Sequence, residues 1–217
     1  MIGNLELARA NMIEQQIRTW DVLDQRVLAV LKKVRREQFV PAGRQAMAFM
    51  DIEIPLGHGA FMWQPKLEAR ALQALKIKGG DQVLEVGTGS GYFAALLSRL
   101  AAGVTSVEIE PELRALAAKN LEAHRIDNVT VEEGDAAQGW SGTYDAIVLT
   151  GSVPVLPDAF RISLKPGGRL FAIVGDGPAM QAKLVTCERP GVFVNSCLFE
   201  ISVMPLRNAL QPERFKF

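Results

Sequence analysis

Apolar and polar positions along residues 80–174 repeat as short buried strands followed by helices. The pattern predicts strands over 83–86, 104–109, 129–132, 146–150 and 169–174, with helices over 92–100, 112–123 and 158–164. Apolar runs joined by amphipathic helices are typical of parallel strands whose sheet is covered on both faces. The sequence therefore predicts an α/β fold with a doubly wound, mostly parallel sheet.

Helices are also predicted before this core. One covers residues 5–19, a second begins at the N-cap residue Asp24 and stops before Pro41, and a third covers 67–77. Residues 1–78 are thus expected to form an N-terminal helical appendage and a loop, packed on a core made of residues 79–217. The loop, rich in proline and glycine, either walls a pocket or fastens the helices to the core.

The C-terminal part of the chain reads as strands. Runs at 184–187, 192–195 and 198–204 predict an antiparallel edge to the sheet. The role of the tail, residues 211–217, is left open: its phenylalanines suit a hydrophobic groove or a subunit contact equally well. The sequence does not predict an oligomeric state.

Charge and composition exclude several classes of partner. The chain has 24 basic and 24 acidic residues among 217, so no general attraction to nucleic acid or to a membrane surface is expected. The basic run 32–36 is interpreted as a solvated helix end, and His124 as a surface residue. Cys187 and Cys197 are interpreted as buried thiols. With no signal-like start and no long apolar run, a cytoplasmic protein is predicted.

The candidate chemistry begins at a glycine turn. Strand 83–86 runs into Gly87, Gly89 and Gly91, which precede a helix. Alternate glycines let the backbone bend tightly and expose its N–H groups to a ligand. A dinucleotide-binding GxGxxG pattern would need glycine at position 92, which is Tyr92. The turn therefore indicates a different nucleoside ligand.

Acidic residues follow three successive strands. Glu85 precedes the glycine turn and suits a cationic group of the ligand. Glu108, with Glu110 as an alternative, lies about twenty residues further on, where a carboxylate accepts hydrogen bonds from ribose hydroxyls. Asp135 follows the third strand and suits an adenine amino group. Because the carboxyl ends of parallel strands meet at one sheet edge, these acids are expected to lie together.

The motif running from Glu85 to Gly91, acid-x-Gly-x-Gly-x-Gly, resembles motif I of class I methyltransferases that use S-adenosylmethionine. The segments 12–18, 36–41, 164–170 and 203–206 further resemble the protein-L-isoaspartate O-methyltransferase family, which methylates the abnormal carboxylate left when Asn or Asp isomerises. The resemblance covers nearly the whole chain. It implies a Rossmann-like methyltransferase core that binds S-adenosylmethionine or S-adenosylhomocysteine, with no metal. The implied cofactor-binding residues are Glu85, Gly87, Thr88, Gly89, Gly91, Glu108, Ile109, Asp135, Ala136 and Thr150.

The chain departs from the family pattern in the loop before motif I. The family usually has Thr-Ile-Ser-Gln-Pro there, and its hydroxyls face the substrate carboxylate, whereas this chain has Phe61 and Trp63 at the Thr and Ser positions. Hydrogen-bond donors are thereby replaced by apolar rings. The candidate substrate-loop residues are His58, Phe61, Met62, Trp63, Gln64 and Pro65. A milder change is Ala136, where the family has glycine.

Three functions follow from this pattern. The resemblance implies methyl transfer to an isoaspartyl carboxylate, which needs no general base because a carboxylate is ionised at neutral pH. Alternatives are a paralogue that methylates a more apolar small molecule, and a non-catalytic protein that binds S-adenosylmethionine. His58 is a candidate base only for a hydroxyl or amine acceptor. No catalytic residue is assigned from the sequence.

Overall fold

The computed structural model describes residues 2–212, with side chains from residue 4 onward. The tail residues 213–217, which include both phenylalanines of the predicted C-terminal contact, lie outside the described residues. None of the helices within 2–212 is long and apolar enough to cross a bilayer.

The N-terminal part folds as two α-helices, a short hairpin and a third α-helix. Helix α1 (Ile2–Met12) continues into a π turn and a 3₁₀ turn that end at Trp20, and α2 covers Gln25–Lys33. As predicted, the Asp24 carboxylate caps α2, accepting a hydrogen bond from the N–H of Arg26 at 2.8 Å. The predicted irregular loop contains an antiparallel hairpin, β1 (Ile54–Gly57) and β2 (Ala60–Met62), followed by α3 (Pro65–Leu75).

The rest of the chain forms a seven-stranded sheet in the order β5-β4-β3-β6-β7-β8-β9. Its strands are β3 (Gln82–Val86), β4 (Gly103–Glu108), β5 (Val129–Glu133), β6 (Tyr144–Val153), β7 (Leu164–Val174), β8 (Gln181–Arg189) and β9 (Val192–Glu200). Helices α4 (Tyr92–Ser98), α5 (Pro111–Ala123) and α6 (Asp158–Ile162) lie in its connections. Strands β3 to β7 are parallel, while β8 and β9 pair antiparallel. The predicted fold class is confirmed.

One detail of the antiparallel edge differs from the prediction. The two runs 192–195 and 198–204 are not separate strands, because residues 192–200 form one strand that pairs with β8, with register shifts near Lys183 and between Cys187 and Arg189. The polar residues Asn195 and Ser196 lie within the outermost strand, where exposed side chains are tolerated.

Alternation along the central strands divides the core between the two sheet faces. In β6, Ala146 and Val148 belong to one buried cluster, whereas Ile147 and Leu149 belong to the other. The first cluster also contains side chains from residues 12–77, such as Ile17, so the N-terminal part shares a core with the sheet. The domain division at residue 78 stays a prediction.

The interpretation of the basic run 32–36 as a solvated helix end was wrong for Arg36. Helix α2 ends at Lys33, and the chain then turns, so Val34 and Arg36 point inward. Arg36 is 1% exposed and pairs with the carboxylate of Glu68. Lys32, Lys33 and Arg35 remain exposed, as expected.

Two further expectations are corrected. Cys187 is buried, but Cys197 is exposed because it lies on the outermost strand β9. His124 is half-buried, and its ring stacks on Phe39 with centroids 4.6 Å apart. Burial lowers the pKa of His124, so the neutral ring that packs on Phe39 is favoured.

Candidate functional site

The glycine turn after β3 adopts a backbone that only glycine takes without strain. Gly87, Gly89 and Gly91 have φ values of +94°, +55° and +80°. A Cβ on Gly87 would overlap the hydroxyl of Thr150, and one on Gly91 would lie 3.2 Å from the Cα of Ala117. The face of the turn that meets Thr150 and Ala117 is thus close-packed, and the opposite face is available to a ligand.

A cavity of about 790 Å³, counting the space at its open mouth, lies at the carboxyl ends of the parallel strands. Its lining includes seven of the predicted cofactor-binding residues: Gly87, Gly89, Glu108, Ile109, Asp135, Ala136 and Thr150. The tertiary structure therefore brings together residues that are far apart in sequence, at the edge where ligands bind in such sheets. A smaller inner cavity of about 330 Å³ shares Phe61, Trp63 and the glycine turn with it.

Glu108 is fixed at the end of β4. Its carboxylate accepts hydrogen bonds from the N–H groups of Gly89, at 2.8 Å, and Glu110, at 3.1 Å. Each carboxylate oxygen keeps a further lone pair for a ligand hydroxyl. The side chain therefore both orders the glycine turn and faces the main cavity.

Asp135 is held in a similar way after β5. One carboxylate oxygen accepts from the N–H of Ala137 at 3.0 Å, and the other from the side-chain amide of Asn208 at 2.7 Å. No sequence pattern singled out Asn208, because it lies 73 residues away in an irregular C-terminal segment. The contact shows that this segment completes the cavity wall.

Glu85 lies behind the glycine turn, outside the cavity lining. Its side chain is fully buried and accepts a hydrogen bond from the hydroxyl of Ser106, which also bonds to the Thr88 hydroxyl at 2.6 Å. Burial raises the pKa of Glu85 to about 8, with a smaller contribution in the same direction from Glu108. Thr88 lines only the inner cavity, and Gly91 lines neither. Glu85 and Thr88 are therefore placed to shape the turn, and direct contact between Glu85 and a ligand is not supported.

The two substituted loop positions differ in their surroundings. Trp63 is 5% exposed, and its ring lies 5.7 Å from that of Phe93 and 6.2 Å from that of Phe171. Phe61 is 38% exposed and lines both cavities. The loop therefore has both of the roles that the sequence allowed. Trp63 packs the loop against the core, and Phe61 forms part of the pocket wall.

The other loop candidates are arranged around these two. Met62 is buried and lines the inner cavity, while Gln64 and Pro65 form the start of α3 and line neither cavity. The His58 ring lies at the hairpin tip, 2.9 Å from the carboxylate of Glu112 and 3.6 Å from that of Glu110. His58 also lines neither cavity.

A clasp closes one side of the main cavity. We define the clasp as Arg207 with its two partners: its guanidinium donates to the backbone carbonyl of His58 and to the carboxylate of Glu110, the latter at 2.9 Å. Hydrogen bonding from Arg207 holds the pKa of Glu110 below its usual range. The neighbouring residues 204–206 line the cavity as well. The clasp thus joins the hairpin, the start of α5 and the C-terminal segment.

These features fit an adenosine-containing cofactor. The glycine turn leaves no Cβ between the backbone and the cavity, and two ordered carboxylates, Glu108 and Asp135, provide acceptors for hydroxyl and amino groups. Among the described residues, 2–212, no cluster of His, Cys, Asp and Glu is arranged to hold a metal ion.

Comparison with known proteins decides the family. A family profile described as Protein-L-isoaspartate(D-aspartate) O-methyltransferase (PCMT) matches residues 7–210. The chain belongs to the protein-L-isoaspartate O-methyltransferase family. The match includes the N-terminal helices and the substrate loop as well as the shared methyltransferase core, which makes the assignment specific.

Relatives of the family are similar over most of their length. The chain is 40% identical over 202 residues to Protein-L-isoaspartate O-methyltransferase 1 of Rhodopseudomonas palustris, covering 91% of this chain and 82% of the relative. It is 38% identical over 197 residues to the Protein-L-isoaspartate O-methyltransferase of Gloeobacter violaceus, covering 90% and 96%.

Solved structures of the family share the fold. A putative protein-L-isoaspartate O-methyltransferase of Plasmodium falciparum, in complex with S-adenosyl-L-homocysteine, superposes with a TM-score of 0.80 at 19% identity, covering 93% of this chain and 97% of that one. Another protein-L-isoaspartate O-methyltransferase has a TM-score of 0.79 at 26% identity, covering 91% of this chain and 65% of that one. Family membership makes the chain an S-adenosylmethionine-dependent methyltransferase.

Proposed function

We propose that this family member transfers a methyl group to the free carboxylate of an isoaspartyl residue in a damaged peptide or protein. The observation that carries the proposal is the family match over residues 7–210, which extends through the substrate loop. The reaction forms a bond between a carboxylate oxygen and the methyl carbon and breaks the sulfur–methyl bond. The products are a methyl ester and S-adenosylhomocysteine.

The cofactor supplies a methyl group on a positively charged sulfur. The chain's own contribution is to hold the acceptor in line with that group and to exclude water, which is how such transfers are accelerated. The acceptor carboxylate is already ionised near neutral pH, so no side chain has to remove a proton. Among the described residues, the lining of the main cavity contains no histidine or lysine, which is consistent with a reaction that needs no proton acceptor.

We further propose roles for the cavity residues. Glu108 is placed to accept hydrogen bonds from the ribose hydroxyls, and Asp135 from the adenine amino group, while Gly87 and Gly89 allow the cofactor to approach the backbone. Glu85 acts through the hydrogen-bonded chain that supports the turn. The assignments of Glu108, Asp135 and the two glycines rest on the position of each group in the cavity, and that of Glu85 rests on its hydrogen bond with Ser106.

Phe61 provides no hydrogen-bond donor for the acceptor carboxylate, and Trp63 provides only its indole N–H in place of a hydroxyl. The hydroxyl of Thr150 lies within 2.8 Å of the backbone carbonyl of Val86 and 2.6 Å of that of Gly87, so its proton is already used. We propose that backbone N–H groups of the loop take over the function of the missing hydroxyls. A cytoplasmic location remains a prediction from the sequence.

The test compares peptides that differ only at one residue. A peptide with L-isoaspartate is incubated with methyl-labelled S-adenosylmethionine, beside the same peptide with L-aspartate or D-aspartate. We expect label in a base-labile ester on the isoaspartyl peptide and none on the L-aspartyl control. Cofactor binding by calorimetry without transfer to any peptide would support a non-catalytic protein, and transfer to an apolar small molecule alone would support the paralogue.

A further inference from the structure

Glu53 and Phe61 lie on the same face of the β1–β2 hairpin. The strands pair with Ile54 opposite Met62 and Pro55 opposite Phe61. Side chains alternate between the two faces of a strand, so Glu53 shares a face with Pro55 and its partner Phe61. Both Glu53 and Phe61 line the main cavity, which agrees with this register.

The carboxylate of Glu53 has no partner in the described part of the chain. Within residues 2–212 it forms neither a hydrogen bond nor an ion pair, although the side chain is half-buried. Burial raises the pKa of the Glu53 carboxyl. Two residues away, Asp51 is equally half-buried but pairs with the ammonium group of Lys66 at 2.5 Å. A carboxylate that is partly removed from water and unpaired is stabilised by a cation that a ligand brings.

The other charges of the cavity wall are already engaged. Glu108 and Asp135 each accept two hydrogen bonds from the protein, and Arg207 is paired with Glu110. Among the described residues, Glu53 is the remaining charged group of the lining. It repels an acceptor that carries only a carboxylate, and this repulsion is removed when the acceptor also carries a cation.

We propose that Glu53, beside the exposed ring of Phe61, binds a cationic side chain of the acceptor, so that the enzyme prefers isoaspartyl sites next to lysine or arginine. This inference rests on the proposed function. A carboxylate and an aromatic face together suit an ammonium or guanidinium group, since the ring attracts a cation through its quadrupole. Phe61 thereby contributes to acceptor selection.

The test uses hexapeptides with one isoaspartyl residue flanked by lysine, glutamine or glutamate, on either side. For the unaltered enzyme we expect kcat/KM to be highest for lysine, about fivefold above glutamine, as for one partly screened charge pair. Glu53→Gln preserves side-chain volume, and in this variant kcat/KM for the lysine and glutamine peptides should become equal. Asp51→Asn is the matched control: it removes a carboxylate from the same loop and should keep the lysine preference.

Other outcomes separate the two proposals. If no isoaspartyl peptide is methylated, the proposed function fails. If all are methylated without regard to the neighbour, only the cationic subsite is overturned. A Glu53→Gln variant that loses affinity for S-adenosylhomocysteine by calorimetry but keeps the lysine preference would assign Glu53 to the cofactor and overturn the inference. The lysine preference should also shrink with added salt.

Discussion

Arg36 and Glu68 form a fully buried ion pair, with side chains 1% and 2% exposed. The guanidinium also donates to the backbone carbonyl of Trp63 and stacks over the ring of Tyr92, 5.0 Å from its centroid. The pair therefore joins the turn after α2 to helix α3. The bond from Arg36 to Trp63 also fixes a residue that lines the cavity. The stacking on Tyr92, the first residue of α4, links the N-terminal part of the chain to the core.

Removing one partner of this pair should be far more costly than removing both. Either single variant, Glu68→Gln or Arg36→Met, is expected to lower the free energy of unfolding by about 3–5 kcal/mol. In each case the charge that remains buried loses the opposite charge that stabilises it. The double variant Arg36→Met with Glu68→Leu should recover at least half of the loss. Urea denaturation with an unchanged m-value checks this. Single variants that cost less than about 1 kcal/mol would contradict the assignment.

Gly87→Ala should abolish tight cofactor binding. The added Cβ would overlap the Thr150 hydroxyl at a residue with φ of +94°, so the turn has to move. We expect at least a tenfold weaker affinity for S-adenosylhomocysteine by calorimetry, equivalent to about 1.4 kcal/mol. Gly191→Ala is the control: it has φ of +78° but open space around it, and should reduce stability without reducing affinity.

Glu85 should make stability depend on pH. Its folded-state pKa of about 8 lies above the usual value of 4.5, so the folded state binds an extra proton between these values. Stability from this group is therefore present below about pH 4.5 and lost as the pH rises through about 8. Between pH 5 and pH 9 the free energy of unfolding should fall less for Glu85→Gln than for the unaltered chain. The difference between the two falls should be a few kcal/mol at most. Equal pH slopes would contradict the raised pKa.

The two substituted loop residues should respond differently to replacement. Trp63→Ser removes a ring packed on Phe93 and Phe171, and should cost about 3–5 kcal/mol of stability. Phe61→Thr removes a partly exposed ring and should cost less than about 1 kcal/mol. We expect Phe61→Thr to change KM for the acceptor peptide while affinity for S-adenosylhomocysteine stays constant. Denaturation curves and steady-state kinetics with calorimetry measure these effects.

Breaking the clasp should release the cofactor faster. Arg207→Met removes both links from the C-terminal segment, to the hairpin and to Glu110. Dissociation of S-adenosylhomocysteine, measured by stopped flow, should accelerate about two- to fivefold, since an exposed ion pair contributes up to about 1 kcal/mol. Arg161→Met, which breaks an exposed pair with Asp158 outside the cavity lining, should leave the rate unchanged.

Much of the fold was predictable because it depends on local patterns. Strand β3 and the helix capped by Asp24 follow from apolar periodicity and capping chemistry. Arg36 was misjudged because a basic residue at a helix end is normally solvated, and its buried partner Glu68 lies 32 residues away. Cys197 was misjudged because the sequence does not say which strand forms the sheet edge.

The sequence by itself determined the family, the order of strands and helices from β3 to β7, and the glycine turn, because these are recorded in motifs and short-range spacing. Only the tertiary structure decided that Glu85 lies behind the turn, that Asn208 bonds to Asp135, and that Arg207 and Glu53 line the cavity. Those relationships join residues distant in sequence. They depend on how the hairpin and the C-terminal segment fold over the sheet edge, which no local pattern specifies.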